Sequence, residues 1–460
     1  MEIRPLLHRT ADLAADFLEQ LDDRPVHAAA GLEELRAALG GELPDGPLDP
    51  AAVVEELAAA SMPGIVASAG PRYFGFVIGG TLPAALAADW LATAWDNNAA
   101  GSVVCPAGNV VEEVAGAWIK GLVGLPSCTS VGFTTGGMMA SFTCLLAARR
   151  HVLGKVGWDV DEDGLCGAPP VRIVVGSERH PTIDVSMRYL GLGPRRSVVV
   201  DADEQGRMRP DALRRALAEG GGPTIVCAQA GGLNTGAFDP LEEVCDAAAA
   251  ASAWVHVDGA VGLWAAASVA HRHLTAGMER ADSWATDSHK WLNVPYDSGL
   301  ALCRHPEDHR AAVSATAPYL LLGGPEAPRD GFEWVPEFSR RARGFAVYAA
   351  LRSLGRRGVE ALVDRCCSHA RRFAEALGGA PGVEVLNDVV LNQVLVRFGG
   401  SDAHTRAVVE RLQREGTAWF GTTVWRGRAA MRISVVNWRT SISDVDRSVE
   451  AILAAHRAIS

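Results

Sequence analysis

Trp254-Val-His-Val-Asp-Gly-Ala260 is the stretch on which the fold reading turns. Its apolar run is short, rich in β-branched residues and closed by a turn residue, which marks a strand. Just upstream, Leu241 to Ser252 carries the apolar spacing of an amphipathic helix, and Thr224-Ile-Val-Cys227 before it is another apolar run. Near-continuous apolar strands separated by helices indicate parallel pairing in a sheet covered on both faces. The pattern continues outward: Val171-Arg-Ile-Val-Val175, Ser197-Val-Val-Val200 and the helix Pro210 to Ala218 precede it, and Gly299-Leu-Ala-Leu-Cys303 follows. The fold class is α/β, with a mostly parallel central sheet.

Other regions differ in character. Residues 1–60 read as helices, including Ala11 to Leu21 and Leu32 to Leu39, with the Gly/Pro/Asp-rich turn from Gly40 to Pro50. Residues 61–330 hold the sheet pattern. After the Gly/Pro-rich stretch Gly323 to Asp330, residues 331–460 show two long helices, strands at Gln393 to Phe398 and Ala430 to Val436, and a closing helix from Ser443. That spacing predicts a smaller α+β C-terminal domain.

Composition sets the function classes. Hydrophobic residues at 48% and charged residues at 21% of the 460 are globular values, which exclude disorder as a global description. A net charge of −11 gives no reason to expect nucleic acid or an anionic membrane as partner. Met1-Glu2-Ile3-Arg4-Pro5 has no apolar signal core, and no stretch approaches the roughly 18 apolar residues of a membrane span, so a cytoplasmic location is expected. Nine cysteines lack metal-site spacing, and no metal is expected. Of the 43 basic residues only Lys120, Lys155 and Lys290 are lysines. Arginine can replace lysine as a charge but not as a nucleophilic amine, so amine chemistry has three candidates.

Four segments carry chemistry. Gly132-Phe-Thr-Thr-Gly-Gly-Met-Met-Ala-Ser141 is a Thr/Gly-rich turn opening a helix; its free N–H groups suit a phosphate, although a plain turn reads the same. Asp258 ends an apolar strand, where open α/β sheets bind ligands, or it caps a helix. Ala281-Asp-Ser-Trp-Ala-Thr-Asp-Ser-His-Lys-Trp-Leu292 places Lys290 after a short strand, beside His289 and Trp291. Lys120 and Lys155 have no such neighbours. Ser177-Glu-Arg-His180-Pro-Thr182 follows another strand, so His180 is either a loop residue or a ring cover. In combination, a phosphate cradle, a strand-end acid, a flat ring and a lysine meet the requirements of pyridoxal 5′-phosphate. Lys290 would attach it, Asp258 would hold its pyridine nitrogen protonated, and Ala260 and His180 would take its two faces.

These pieces resemble the group II pyridoxal-phosphate-dependent decarboxylases, of aromatic-amino-acid and glutamate decarboxylase type. Val257-Asp-Gly-Ala260 and Asp287-Ser-His-Lys-Trp291 lie about thirty residues apart, and Thr134-Thr-Gly-Gly-Met138, His180 and Phe238-Asp-Pro240 match in order. The resemblance runs from Pro71-Arg-Tyr-Phe-Gly-Phe76 to the C-terminal helix. It implies fold type I and a homodimer with shared active sites. It further implies Lys290 as the Schiff-base lysine and His180 as stacking and catalytic residue. The cofactor-binding set is Gly136, Gly137, Met138, His180, Asp258, Ala260, Asp287, His289 and Lys290. Arg432, in Met431-Arg-Ile-Ser434, resembles the arginine that receives a substrate carboxylate, or forms a strand-end salt bridge. Phe74 and Tyr296 fall in pocket-lining segments, with Tyr73, Phe76 and Trp95.

The implied reaction is decarboxylation of an L-amino acid, with an apolar or aromatic side chain, to the amine and carbon dioxide. Three departures bear on it. Met138 replaces a small polar residue in the phosphate turn. Gly231-Gly-Leu-Asn-Thr235 lacks a Thr-Thr pair that Asn234 or Thr235 could replace. Arg329-Asp-Gly-Phe-Glu-Trp334 has Gly331 or Phe332 where the family's loop tyrosine protonates Cα; Tyr319 lies upstream. This third departure keeps an aldehyde synthase (oxidative decarboxylation–deamination) open, beside other fold type I lyases or aminotransferases and a non-enzymatic cofactor-binding scaffold.

Overall fold

The computed structural model describes residues 3–314 and 329–459, so Tyr319 lies outside the described residues. Seven strands form the main sheet: β1 (Ser130–Thr134), β2 (Arg172–Gly176), β3 (Val198–Val200), β4 (Thr224–Gln229), β5 (Trp254–Asp258), β6 (Ser283–Asp287) and β7 (Gly299–Cys303). Their order is β1-β7-β6-β5-β4-β2-β3. Strands β3, β2, β4, β5 and β6 pair in parallel, while β7 runs antiparallel to both neighbours. The α/β expectation holds. Strands β4 to β7 are buried along their whole length, which is why the apolar runs show no alternation.

Two strands escape an apolar-run reading. β1 takes Gly132, Phe133 and Thr134 out of the expected turn, so the turn proper begins at Thr135. β6, Ser283-Trp-Ala-Thr-Asp287, is polar in composition yet buried. Its polar groups bond across the sheet: Trp254 Nε1 donates to Ser283 Oγ at 2.9 Å, and Thr286 Oγ1 donates to the Gly259 carbonyl at 3.1 Å. Paired in this way, they escape the desolvation penalty of burial. Trp264, Trp284 and Trp291 are the largest fully buried side chains, and Trp284 Nε1 donates to the Met278 carbonyl at 2.9 Å.

The chain packs into two compact units. One comprises Met1–Ile78, Arg372–Val385 and Leu395–Ser460; the other comprises Gly79–Arg371 and Leu386–Val394 and holds the main sheet. In the first, β8 (Val383–Val385), β9 (Gln393–Phe398), β10 (Gly421–Trp425) and β11 (Arg428–Ser434) form a smaller sheet in the order β10-β11-β9-β8, with both outer pairs antiparallel. The Ile442–Ile459 helix closes the chain. Among the described residues no helix is long and apolar enough to cross a membrane.

Candidate active site

The carboxyl ends of β2, β4, β5 and β6 and the turn after β1 line one narrow cleft. Gly136 caps the Gly137–Gly154 helix, whose first N–H groups have no partner within the helix. Gly137 N–H donates to Asp287 Oδ1, the residue that ends β6. A short helix, Ser288–Trp291, follows and carries His289 and Lys290. Lys290 Nζ lies 2.7 Å from Asp287 Oδ2, and His289 Nε2 lies 3.3 Å from Oδ1. Burial pushes the Asp287 carboxyl up, but Lys290, His289 and the Gly137 N–H outweigh it and hold it below the ordinary carboxylate range. It is ionised at neutral pH.

His289 is fixed from two sides. Ser298 N–H donates to its Nδ1 at 3.2 Å, so the ring proton sits on Nε2, toward Asp287. Burial lowers its pKa against the pull of Asp287, leaving a neutral ring at pH 7. Tyr296 covers it at 4.3 Å between ring centroids. Close packing between β7 and the phosphate turn has a backbone cause: a Cβ on Gly299 would lie 2.4 Å from the Gly136 carbonyl carbon.

In the same cleft, Asp258 ends β5, in register with Gln229 of β4. Its Oδ1 accepts the Ala260 N–H at 3.1 Å, and Oδ2 takes no protein hydrogen bond among the described residues. His180 caps the Pro181–Tyr189 helix: its Nδ1 accepts the Thr182 N–H at 3.3 Å and lies 2.7 Å from Thr182 Oγ1. These contacts fix the ring at its Nδ1 edge, where it lines the cleft.

The cleft therefore brings together Gly137, Met138, His180, Asp258, Ala260, Asp287 and Lys290. Gly136 and His289 adjoin Asp287 directly. Gln229, Thr182, Leu233 and Val261 also line it and were missed by sequence reasoning. The signal for Gln229 was present: it is a polar residue at the end of an apolar strand, two positions past the apolar run read as β4. Thr235 is turned to structural use, since its hydroxyl donates to the Gln205 carbonyl at 2.7 Å; Gly231 lines the cleft instead. Of the other lysines, Lys120 Nζ donates to the Ser127 and Thr129 carbonyls at 2.8 Å, and Lys155 is exposed.

The remaining candidates are not among the residues that line this cleft. Phe332 is buried, stacks on Phe338 at 5.0 Å and takes the place of a core residue; Gly331 has no room for a side chain, with Arg340 and the Ala99 carbonyl against it. In the first compact unit, Phe74 is 1% exposed and stacks on Phe420, whereas Phe76 is 61% exposed and leans on Trp419. Arg432 of β11 is buried, which lowers its pKa to about 10, and it forms no ion pair among the described residues.

Pyridoxal phosphate fits this donor set. The Asp258 carboxylate has one oxygen without a hydrogen bond among the described residues, and it lines the same cleft as the Lys290 amine and the first residues of the Gly137–Gly154 helix. Comparison with known proteins points the same way. Residues 33–398 match the pyridoxal-dependent decarboxylase conserved domain. The chain is 32% identical over 385 residues to L-2,4-diaminobutyrate decarboxylase of Rhizobium meliloti (strain 1021), covering 80% of this chain and 74% of that one. It is 25% identical over 473 residues to aromatic-L-amino-acid decarboxylase of Bacillus atrophaeus, covering 100% and 96%. The crystal structure of Oryza sativa TDC with PLP and tryptamine superposes with a TM-score of 0.92 at 24% identity, over 99% and 98% of the two chains. The chain belongs to the pyridoxal-dependent decarboxylase family, the pyridoxal-phosphate-dependent carboxy-lyases of amino acids.

Proposed function

We propose that this chain decarboxylates an L-amino acid with an apolar or aromatic side chain, releasing the amine and carbon dioxide. The observation that carries the reading is the single cleft in which Lys290, Asp258 and His180 converge on the phosphate turn. Bound pyridoxal phosphate supplies a ring that takes up the electron pair left when the carboxylate departs. Lys290 would hold the cofactor through its side-chain amine. Asp258, through its open Oδ2, keeps the pyridine nitrogen protonated. Gly136, Gly137, Met138 and His289 take the phosphate, Asp287 orients Lys290, and Ala260 and His180 bracket the ring. His180 would carry the proton returned to Cα. Tyr296, stacked on His289, would belong to the side-chain pocket.

Aromatic-L-amino-acid decarboxylase of Bacillus atrophaeus and tryptophan decarboxylase 1 of Oryza sativa subsp. japonica (28% identical over 466 residues) support the aromatic choice. Diaminobutyrate and cysteine sulfinic acid decarboxylases are among the relatives too, so the panel that tests the reading must include basic and acidic substrates. The expected result is one amine and one carbon dioxide per turnover, with an aromatic amino acid preferred. Preference for diaminobutyrate or cysteine sulfinate overturns the side-chain class. Aldehyde, ammonia and peroxide would instead establish the oxidative reaction, the alternative that Gly331 or Phe332 at the expected loop tyrosine keeps open.

The working form is a homodimer with shared sites. Trp90, Leu91, Trp95, Val103 and Val104 are 44–87% exposed within one short segment, an apolar grouping typical of an association surface. The sequence regions 1–60, 61–330 and 331–460 are retained as the proposed domain order, and the cytoplasm as the proposed location.

A further inference from the structure

Far from the cleft, three side chains of metal-ligating type meet. His151 lies near the end of the Gly137–Gly154 helix, while His305 and Asp308 open the Pro306–Val313 helix. One ligand atom from each lies within 4.8 Å of the other two, the sole such group among the described residues. His151 Nδ1 is 2.6 Å from Asp308 Oδ2. The His151 and His305 rings sit 4.9 Å apart, and both pack against Trp254, which is 2% exposed. We infer that His151, His305 and Asp308 bind one divalent transition-metal ion of the zinc class.

The chemistry supports this. Two imidazoles and a carboxylate suit zinc and its late first-row neighbours, and a water can complete the tetrahedron. Side-chain exposures of 19% for His151, 20% for Asp308 and 33% for His305 leave one side open for that water. Ligand atoms on one tetrahedral ion, at about 2.1 Å from it, stand about 3.4 Å apart. The three ligand atoms already lie within 4.8 Å of one another, and His151 Nδ1 and Asp308 Oδ2 would move apart from 2.6 Å to admit the ion.

An outer shell is already in place. Asp282 Oδ1 lies 2.8 Å from His305 Nε2, and its Oδ2 accepts the Val255 N–H at 2.7 Å. Arg150 Nη1 donates to Asp308 Oδ1 at 2.9 Å. Carboxylates behind ligating histidines orient the ring and raise its basicity. His151 and Asp308 are 157 positions apart in sequence, which is why spacing rules give no sign of them. From Gly137 to His151 the helix rises about 21 Å, so the ion would clamp the two helices and stand away from the chemistry.

The test is equilibrium dialysis of the holoenzyme against Zn²⁺, with metal and cofactor content measured together. The wild type should hold one equivalent. His151→Ala and His305→Ala should each hold none while keeping full cofactor content. Asp282→Asn, which leaves all three ligands, should bind about tenfold more weakly, and it carries the test if a histidine variant fails to fold. A wild type without zinc, or zinc retained by both histidine variants, overturns the site and leaves an ordinary ion-pair network.

Discussion

Lys290 is the residue at which composition becomes mechanism. Two of the three lysines have ordinary surroundings: Lys120 ties down a helix end, and Lys155 is exposed. Lys290 instead sits 2.7 Å from a buried carboxylate that is itself held by the phosphate turn. Asp287 therefore fixes where the amine points before any substrate arrives. Arginine at 290 would keep the charge and the attraction to Asp287 but could not form the covalent bond. The Lys290→Arg variant is expected to lose turnover and to show no borohydride-trappable cofactor, both measurable on one preparation. Retention of either would remove Lys290 from its role.

At the scale of elements, the site depends on how closely β7 approaches the turn after β1. Gly299 begins β7, and a methyl group there would meet the Gly136 backbone at 2.4 Å. Backbone cannot rotate away as a side chain can, so Gly299→Ala should cost about 1–3 kcal/mol. It should also weaken cofactor binding by displacing Gly136 and Gly137. Denaturant unfolding checks the first effect and cofactor titration the second. Strand legibility follows from the same packing. β2, β4, β5 and β7 are readable because burial on both faces demands apolar runs. β6 is hidden because Ser283 and Thr286 satisfy their hydroxyls across the sheet. β10 is hidden because it is a half-exposed strand of Gly, Thr and Val.

For the whole molecule, buried histidines set the response to acid. Burial lowers His256 to about 3, and lowers His309 to about 4 despite its bond to the Trp334 carbonyl. Their unfolded values lie near 6.5. Between those limits the unfolded chain binds protons that the folded chain excludes, so stability is lost as pH falls below about 6.5. Each imidazole contributes up to about 1.4 kcal/mol per pH unit. Asp239 acts with the opposite sign: burial raises it to about 6, so its contribution grows as pH falls from 6 toward 4. With two imidazoles against one carboxyl, net loss is expected. Denaturation of His256→Asn between pH 7 and pH 5 should show about 2 kcal/mol less loss than the wild type; an unchanged slope would mean that His256 does not stay neutral in the fold.

What the sequence determined by itself was the local chemistry: an acid ending an apolar strand, a glycine turn opening a helix, a histidine after another strand, and one lysine with reactive neighbours. Those are properties of adjacent residues, and the alternation of apolar strands with helices was enough to place the first three at strand ends. Only the tertiary structure decided which strands stand beside one another, with β7 antiparallel between β1 and β6. It alone put Gln229 and Thr182 in the cleft, withdrew Thr235, made Phe332 a core residue, and gathered His151, His305 and Asp308. It also drew packing units whose limits do not follow the steps in composition near 60 and 330. The reason is the same in each case. Non-local contacts are selected by complementary shape and by the need to pair every buried polar group, and neither requirement is written in the order of neighbouring residues.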